Sequence, residues 1–212
     1  MRARHTAVWG TGLIWLLSAC DRSASRLAGS SPPAAASSLS AQSHPTRVDS
    51  FIPREVALER FRKSGRKVTQ LAHAAVSREA LVRQFVRALE RRDTTTLRQL
   101  IISRDEFAWL YYPTSKQGLP PYSLNPDLMW FMLVEQSNSG MTRALNQLGG
   151  KHLSYAGYRC EGSSMTEGEN TLWGPCLVRL VQAPGDTSEG RLFGPIIRRD
   201  GQYKFLSYAN KL

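Results

Sequence analysis

Apolar residues recur at helical spacing in the chain that follows residue 50. Leu81, Phe85, Ala88 and Leu89 share one face of a helix, because side chains three or four residues apart are neighbours on a helix surface. Ser77 stands just before this stretch, and a serine hydroxyl can accept a free backbone N–H at a helix N-terminus. The pattern therefore predicts a helix from Ser77 to about residue 92.

Similar signals predict three further helices. Asp93 can cap a helix that follows almost at once, which makes an αα-hairpin. Pro53 suits the first turn of a helix that ends near residue 63. Asn125 and Pro126 begin a long helix that reaches residue 148 and ends at the glycine pair that follows.

Residues 105–112 allow two interpretations. Asp105 and Glu106 precede an apolar run that ends at Pro113. Acidic side chains in a first turn favour a helix, because they interact well with its dipole. A short helix is the first interpretation, and a strand over Ala108–Tyr112 is the alternative.

The pattern changes to strands after Gly150. Predicted strands cover residues 153–160, 172–181, 192–199 and 202–208. Asp200-Gly201 between the last two is a strong hairpin signal, because a type I′ turn needs positive φ at both positions. We predict a single α+β domain over residues 50–212, with helices at about 53–148 packed on one face of a curved antiparallel sheet at about 152–208.

The N-terminus has the parts of an export signal. Arg2 and Arg4 precede an apolar run that is too short to cross a bilayer as a helix, which takes about 20 residues. The sequence Leu17-Ser18-Ala19-Cys20 resembles the lipobox of bacterial lipoprotein precursors. The resemblance implies that residues 1–19 are a signal peptide and that Cys20 becomes a lipidated first residue. An ordinary cleaved signal peptide is the alternative.

Residues 20–49 are rich in Ser, Ala and Pro and contain almost no large apolar side chains, so they cannot form a core. We interpret them as a tether, which as a flexible coil spans about 30 Å. The expected location is the cell envelope, lipid-anchored at the periplasmic face of a bacterial membrane. Asp21 resembles an inner-membrane retention signal of enteric bacteria, and the choice between inner and outer membrane stays open.

The positive charge is concentrated in one region. The chain has 28 basic and 17 acidic residues. Residues 51–104 hold 13 basic and 5 acidic side chains, a net charge of +8, whereas residues 105–212 hold 10 of each. Arg83, Arg87 and Arg91 face away from the apolar side of their predicted helix. We expect this stripe to contact anionic lipid or an acidic partner, rather than nucleic acid. A merely solvated helix face is the alternative.

The cysteines are three in number: Cys20, Cys160 and Cys176. With Cys20 lipidated, the other two form an even pair in an oxidising compartment, where disulfides persist. They lie on predicted strands that we expect to be neighbours. We therefore predict a Cys160–Cys176 disulfide, with two buried free thiols as the alternative.

The order of elements from Ser77 to Tyr208 resembles the nuclear-transport-factor-like superfamily. The segments that carry the resemblance are Leu81–Phe85 and Ala88-Leu89 in a first helix, the joint Arg91-Arg92-Asp93, and the strand segments Phe193–Ile197 and Tyr203–Phe205 around Asp200-Gly201. The resemblance implies an α+β cone with a pocket between sheet and helices. Members include small isomerases and dehydratases as well as non-catalytic binding domains, so the fold does not choose the function.

Several residues are candidates for such a pocket. We expect it to be lined by aromatic side chains, namely Trp109, Tyr112, Phe131, Tyr155 and Tyr203. Asp105 or His152 would be the proton carrier of an enzyme, because an acid among aromatic rings can have a raised pKa and histidine titrates near neutrality. The simpler interpretations are a helix-dipole acid and a surface histidine. No spacing of residues suggests a metal site or a cofactor.

The function that we predict is binding: a membrane-anchored envelope lipoprotein whose domain holds a small apolar ligand or contacts an envelope protein. A small-pocket isomerase-like or dehydratase-like enzyme and a non-catalytic assembly protein are the alternatives. The oligomeric state stays open.

Overall fold

Helices occupy the first part of the folded chain. The computed structural model describes residues 52–183 and 185–212. Its helices are α1 (Arg54–Arg62), α2 (Arg78–Glu90), α3 (Thr94–Gln99), α4 (Arg104–Glu106) and α5 (Pro126–Gln147). Between α4 and α5 the chain continues as a π-helical turn, Phe107–Tyr111, and a 3₁₀ turn, Tyr112–Thr114. The strand alternative for residues 108–112 was wrong.

The predicted helix starts are confirmed. The Ser77 hydroxyl accepts from the Ala80 N–H at 3.0 Å, and the Asp93 carboxylate accepts from the Thr96 N–H at 2.9 Å. Asn125 caps α5, with Pro126 as the first helical residue. These side chains satisfy backbone donors that have no partner inside the helix.

Seven strands follow in the described residues: β1 (Tyr155–Cys160), β2 (Met165–Glu167), β3 (Asn170–Trp173), β4 (Cys176–Ala183), β5 (Asp186–Gly190), β6 (Ile196–Arg199) and β7 (Gln202–Phe205). They form two antiparallel sheets, ordered β1-β4-β5 and β2-β3-β6-β7. The hairpin between β6 and β7 is confirmed, with φ of +50° at Asp200 and +73° at Gly201. The α+β class is therefore confirmed.

The expectation of one sheet was wrong. The predicted strand 172–181 is two strands, because the chain leaves the four-stranded sheet at Gly174 and enters the three-stranded sheet at Cys176. Pro175 between them has no N–H to donate to a strand ladder, which favours a break. The strands β2 and β5 were not predicted. The sequence of β5 is polar, largely exposed and without the apolar–polar alternation that marks a half-buried strand, and β2 is only three residues long.

Two apolar clusters are buried in the described residues. The larger core joins α2 and α3 to both sheets and includes Leu81, Phe85, Leu97, Val178 and Phe205. The smaller core lies among α1, the π-helical turn and the start of α5, and includes Leu58, Phe61, Phe107, Tyr112 and Met129. The division matters for the site, because it separates the aromatic residues that were expected together.

Residues 52–76 pack on the rest of the domain, a point that the sequence left open. Leu58 and Phe61 of α1 are buried in the smaller core. The Arg62 guanidinium donates to the Ala108 carbonyl at 2.9 Å. The Ala75 backbone pairs with Tyr203 of β7. Residues 52–76, which carry part of the excess positive charge, are thus packed on the domain.

The disulfide is confirmed. Cys160 and Cys176 are joined, and they are register partners in the β1–β4 pair. The bridge closes a loop with a sequence separation of 16 residues. In the chain-entropy model a loop of this length restricts the unfolded chain substantially.

We expect the Cys160→Ala/Cys176→Ala variant to lose about 3 kcal/mol of unfolding free energy, because the unfolded chain regains the freedom that the loop removes. Urea denaturation monitored by tryptophan fluorescence measures the change. The Ser163→Ala variant is the control and should match the parent, since Ser163 is exposed in the loop that the bridge closes and the bridge stays intact. Equal stability of the bridged and unbridged proteins would contradict the prediction.

Candidate functional surface

The two predicted proton carriers have different surroundings. Asp105 is partly buried in α4, next to Gly65. His152 is exposed, with 86% of its side chain accessible, and its Nδ1 lies 3.2 Å from a Glu90 carboxylate oxygen at the end of α2. The structure does not bring the carboxylate and the imidazole to one site.

The first three aromatic residues predicted for a pocket lie in or beside the smaller core. Tyr112 is fully buried, and its hydroxyl donates to the Leu124 carbonyl at 2.8 Å. Trp109 is half-buried under the Arg62 guanidinium, which lies 4.0 Å from its ring centroid. Phe131 points outward from α5 and is 60% exposed. The prediction that Phe131 lines an internal pocket was therefore wrong.

The other two aromatic residues belong with the larger core. The Tyr155 hydroxyl donates to a Glu79 carboxylate oxygen at 3.1 Å, and burial together with that negative charge raises the pKa of Tyr155. Tyr203 packs on Trp173, with ring centroids 6.0 Å apart. The five predicted residues therefore do not line one cavity, because four of them are divided between two cores and Phe131 is exposed.

A buried ion pair stands next to the predicted acid, and the sequence reading missed its role. Lys204 Nζ donates to both carboxylate oxygens of Glu106, at 2.9 and 3.1 Å. The same carboxylate accepts from the N–H groups of Ala72 and Ser103, each at 2.6 Å. Burial lowers the pKa of Lys204, and the Glu106 charge opposes that shift. All these bonds are internal, so the pair joins a loop, a helix start and β7.

One local signal for this pair was present in the sequence. Ser103 and Glu106 have the spacing of a capping box, in which each side chain bonds the backbone N–H of the other residue. Both bonds are present. The lysine partner had no comparable signal, because it comes from a distant strand.

Neither a metal cluster nor a membrane-spanning helix is found in the described part of the chain. Within residues 52–183 and 185–212, no group of three or more His, Cys, Asp or Glu side chains is placed to hold a metal ion. Over the same residues, no helix is both long and apolar enough to span a bilayer.

The predicted arginine stripe is on the exposed face of α2, but its members differ. Arg83 is engaged, because it pairs with Glu79 at 2.6 Å and lies 5.0 Å from the Tyr155 ring centroid. Arg87 and Arg91 are exposed and line a shallow groove of about 210 Å³ between α2 and α3. The structure thus places two of the three arginines at one concave surface, which we call the arginine groove. Its lining residues are Gln84, Arg87, Ala88, Arg91, Asp93 and Thr96.

Among the described residues, Asp93 is the one acid that lines the arginine groove, and its carboxylate is already hydrogen-bonded within the domain. The Asp93 carboxylate accepts from the Thr96 hydroxyl at 2.6 Å and from the Thr96 N–H at 2.9 Å. These two hydrogen bonds hold the pKa of Asp93 below its usual range, with a smaller contribution from Arg91. Asp93 therefore serves as the cap of α3, and the groove keeps an excess of positive charge.

A second groove, of about 430 Å³, lies beside the disulfide. Its Arg159 is paired with Glu189 at 2.8 Å and with Glu161 at 3.4 Å. Its Arg78 lies over the Trp173 ring, 4.7 Å from the centroid. The positive groups of this groove are therefore paired with acids or stacked on a ring within the domain.

Comparisons with known proteins found no relative. No protein-family model matches the chain, and neither the search of curated proteins nor that of solved structures found a similar protein. The resemblances to bacterial lipoproteins and to the nuclear-transport-factor-like superfamily therefore stay predictions.

Proposed function

We propose that this chain is a lipoprotein of the bacterial cell envelope, held at the periplasmic face of a membrane by lipid on Cys20. Its α+β domain acts by binding an acidic envelope protein in the arginine groove. The anchor is supported by the lipobox-like sequence that ends at Cys20. A cone-like arrangement of the helices and sheets is part of the proposal, supported by the packing of α2 against both β1 and β7.

The observation that carries the binding proposal is that Arg87 and Arg91 are both exposed and line the same groove. A guanidinium offers several N–H donors in a planar fork that matches a carboxylate. The two arginines stand one helical turn apart, Arg87 in α2 and Arg91 at its C-cap, next to the buried Ala88 and beside α3. A concave surface with two such forks favours an inserted acidic side chain.

A small apolar ligand is less well supported. The aromatic residues that would line its pocket are divided between two cores or are exposed. The same arrangement gives no support to acid–base chemistry by Asp105 or His152.

We predict that a photo-crosslinking residue at Gln84, in the full-length protein in intact cells, captures a partner whose contact peptide is rich in Asp and Glu. The Arg87→Glu/Arg91→Glu variant should lower the yield of this adduct about tenfold or more, because charge pairs at interfaces are strongly coupled. Gel analysis and mass spectrometry of the adduct measure this effect.

Arg98→Glu is the matched control, since Arg98 is exposed on α3 and does not line the groove. It makes half the charge change of the double variant and should leave the adduct in place, as should Arg98→Glu/Lys151→Glu, which makes the full change at exposed positions outside the groove. An adduct that survives the double reversal, or a contact peptide without acidic residues, would contradict the proposal.

A further inference from the structure

Exposed apolar side chains are concentrated at one part of the domain. Of the ten large apolar side chains that are exposed in the described residues, seven belong to three neighbouring segments. We call them the apolar face: Ile52 and Val56 at α1, Leu119 and Tyr122 in the following loop, and Leu128, Phe131 and Met132 in α5. A contiguous apolar patch on a protein surface marks an interaction site more often than scattered residues do.

The first half of α5 is apolar on two sides. Met129 points into the smaller core and is 2% exposed, whereas Phe131 on the other side is 60% exposed. Leu128, Phe131 and Met132 follow helical i, i+3, i+4 spacing, so they form one outward stripe. Beyond Met132 the same side of the helix is polar, beginning with Glu135. The outward apolar character is therefore confined to the end near the loop.

The three segments are held together. Arg54 at the start of α1 donates to the Gly118 carbonyl at 2.7 Å and to the Pro113 carbonyl at 2.8 Å. These bonds fix the start of α1 against the loop that carries Leu119 and Tyr122. The helix α1 also packs against α5. Direct contacts therefore hold the three segments of the apolar face next to one another.

Positive charge accompanies the apolar face. Residues 52–67 hold six basic and two acidic side chains, a net charge of +4. Arg60, Lys63, Arg66 and Lys67 among them are exposed. In α5 and the loop, Lys116 is balanced by Asp127. Apolar and aromatic side chains beside a basic segment fit the interface of an anionic membrane, where rings lie at headgroup depth and Lys and Arg meet phosphates.

The start of the described chain lies within the apolar face. Ile52 is exposed there, and residues 21–51 are all that separate it from Cys20. We propose that the apolar face docks on the surface of the same membrane that holds the lipid on Cys20. This inference rests on the anchor in the proposed function. An anchored domain stays at high effective concentration near the bilayer, so weak docking is sufficient.

The docking surface and the arginine groove are built from different elements. The first uses α1, the loop and α5, and the second uses α2 and α3. Docking by the apolar face would therefore restrict the orientation of the domain without occupying Arg87 or Arg91. The membrane would act as an orienting surface for the binding function.

The test uses the full lipidated protein, one copy per nanodisc, in discs containing phosphatidylglycerol. A Phe131→Cys variant is spin-labelled, since Cys160 and Cys176 are oxidised and Cys20 would be blocked by lipid. Power saturation compares access of oxygen with access of a water-soluble nickel complex. Thr142→Cys, on the polar part of α5, is the matched control.

We expect the ratio of oxygen to nickel accessibility at Phe131→Cys to be at least about threefold higher than at Thr142→Cys, and to fall in discs of neutral lipid. An aqueous label at position 131, with lipid on Cys20 confirmed by intact mass, would overturn the docking and leave the anchor standing. An intact mass without lipid would overturn the anchor and the inference with it. Protection that requires two copies per disc would assign the face to a dimer and overturn the inference.

Discussion

Replacing Lys204 by Met should lower the free energy of unfolding by about 3–5 kcal/mol, because it leaves the Glu106 charge buried without its cation. The Lys204 and Glu106 side chains are 3% and 2% exposed. Urea denaturation at pH 7, monitored by fluorescence and circular dichroism, measures the change.

The size of this effect follows from the position of the carboxylate. Water cannot replace the lost Lys204 donors at a buried site without disturbing the packing around it. The Ala72 and Ser103 N–H groups would remain as donors, but two neutral hydrogen bonds do not compensate an ionic charge in an apolar interior.

The Glu106→Gln/Lys204→Met double variant separates charge from shape. It keeps a side chain that accepts hydrogen bonds, and it removes both charges. We expect it to be more stable than Lys204→Met alone, because neighbouring sites couple in a double-mutant cycle. Lys151→Met is the control and should change stability by less than about 0.5 kcal/mol, since Lys151 is exposed. Additive losses in the double variant would contradict the ion-pair interpretation.

A pH profile gives an independent check with the Glu106→Gln single variant. Burial lowers the pKa of Lys204, and the charge of Glu106 opposes that shift. Without that charge the folded-state pKa of Lys204 falls further below its unfolded value. Protonated Lys204 then penalises the folded state at low pH, and the penalty is relieved as pH rises between the two values. The variant should therefore gain stability relative to the parent as pH rises through this window.

Replacing Gly140 by Ala should lower the free energy of unfolding by about 3 kcal/mol, through overpacking. In a helix interior the same change usually stabilises by up to about 1 kcal/mol, since alanine has the better propensity. The opposite sign is expected here because a Cβ at Gly140 would overlap the Tyr208 carbonyl oxygen and approach the Tyr208 Cβ to 3.2 Å.

The close approach at Gly140 holds the C-terminal segment on α5. The Asn210 amide donates to the Gly140 carbonyl at 2.7 Å, and the Tyr208 N–H donates to the Ser137 hydroxyl at 3.2 Å. The buried Tyr208 hydroxyl in turn donates to the Leu97 carbonyl at 2.6 Å. Separating α5 from this segment would therefore loosen contacts that reach α3.

Ser139→Ala is the matched control, because Ser139 is the exposed neighbour of Gly140 in α5. It should leave stability unchanged or raise it slightly, and the same denaturation measurement compares the two variants. A Gly140→Ala variant as stable as Ser139→Ala would show that the segment moves away without cost and would contradict the prediction.

The elements that depend on local interactions were predictable from the sequence. Ser77, Asp93 and Asn125 begin helices as expected, because a cap bonds a backbone N–H only two or three residues away. The Asp200-Gly201 turn and the α+β class follow from equally local patterns. The Cys160–Cys176 disulfide was predictable because setting Cys20 aside leaves one pair of cysteines, and both members lie on strands that were expected to be neighbours.

The arrangement of these elements was not predictable in the same way. The predicted strand through Trp173 and Cys176 is divided between two sheets, because β3 pairs with β2 and β6 whereas β4 pairs with β1 and β5. Glu106 and Lys204 are 98 residues apart, and no local sequence pattern indicates that their side chains form an ion pair. Four of the aromatic residues expected in one pocket are divided between two cores and Phe131 is exposed, because burial depends on which surfaces meet in the folded chain.

The exposed residues separate what the sequence alone determines from what only the tertiary structure decides. Helical periodicity was sufficient to place Arg87 and Arg91 outside, because facing is set by the spacing of residues along one helix. Their gathering in a groove beside α3, and the engagement of Arg83 by Glu79 and Tyr155, required the packed molecule. Phe131 is the clearest case, since an apolar residue on an apolar helix can face the core or solvent, and only its neighbours in space settle which.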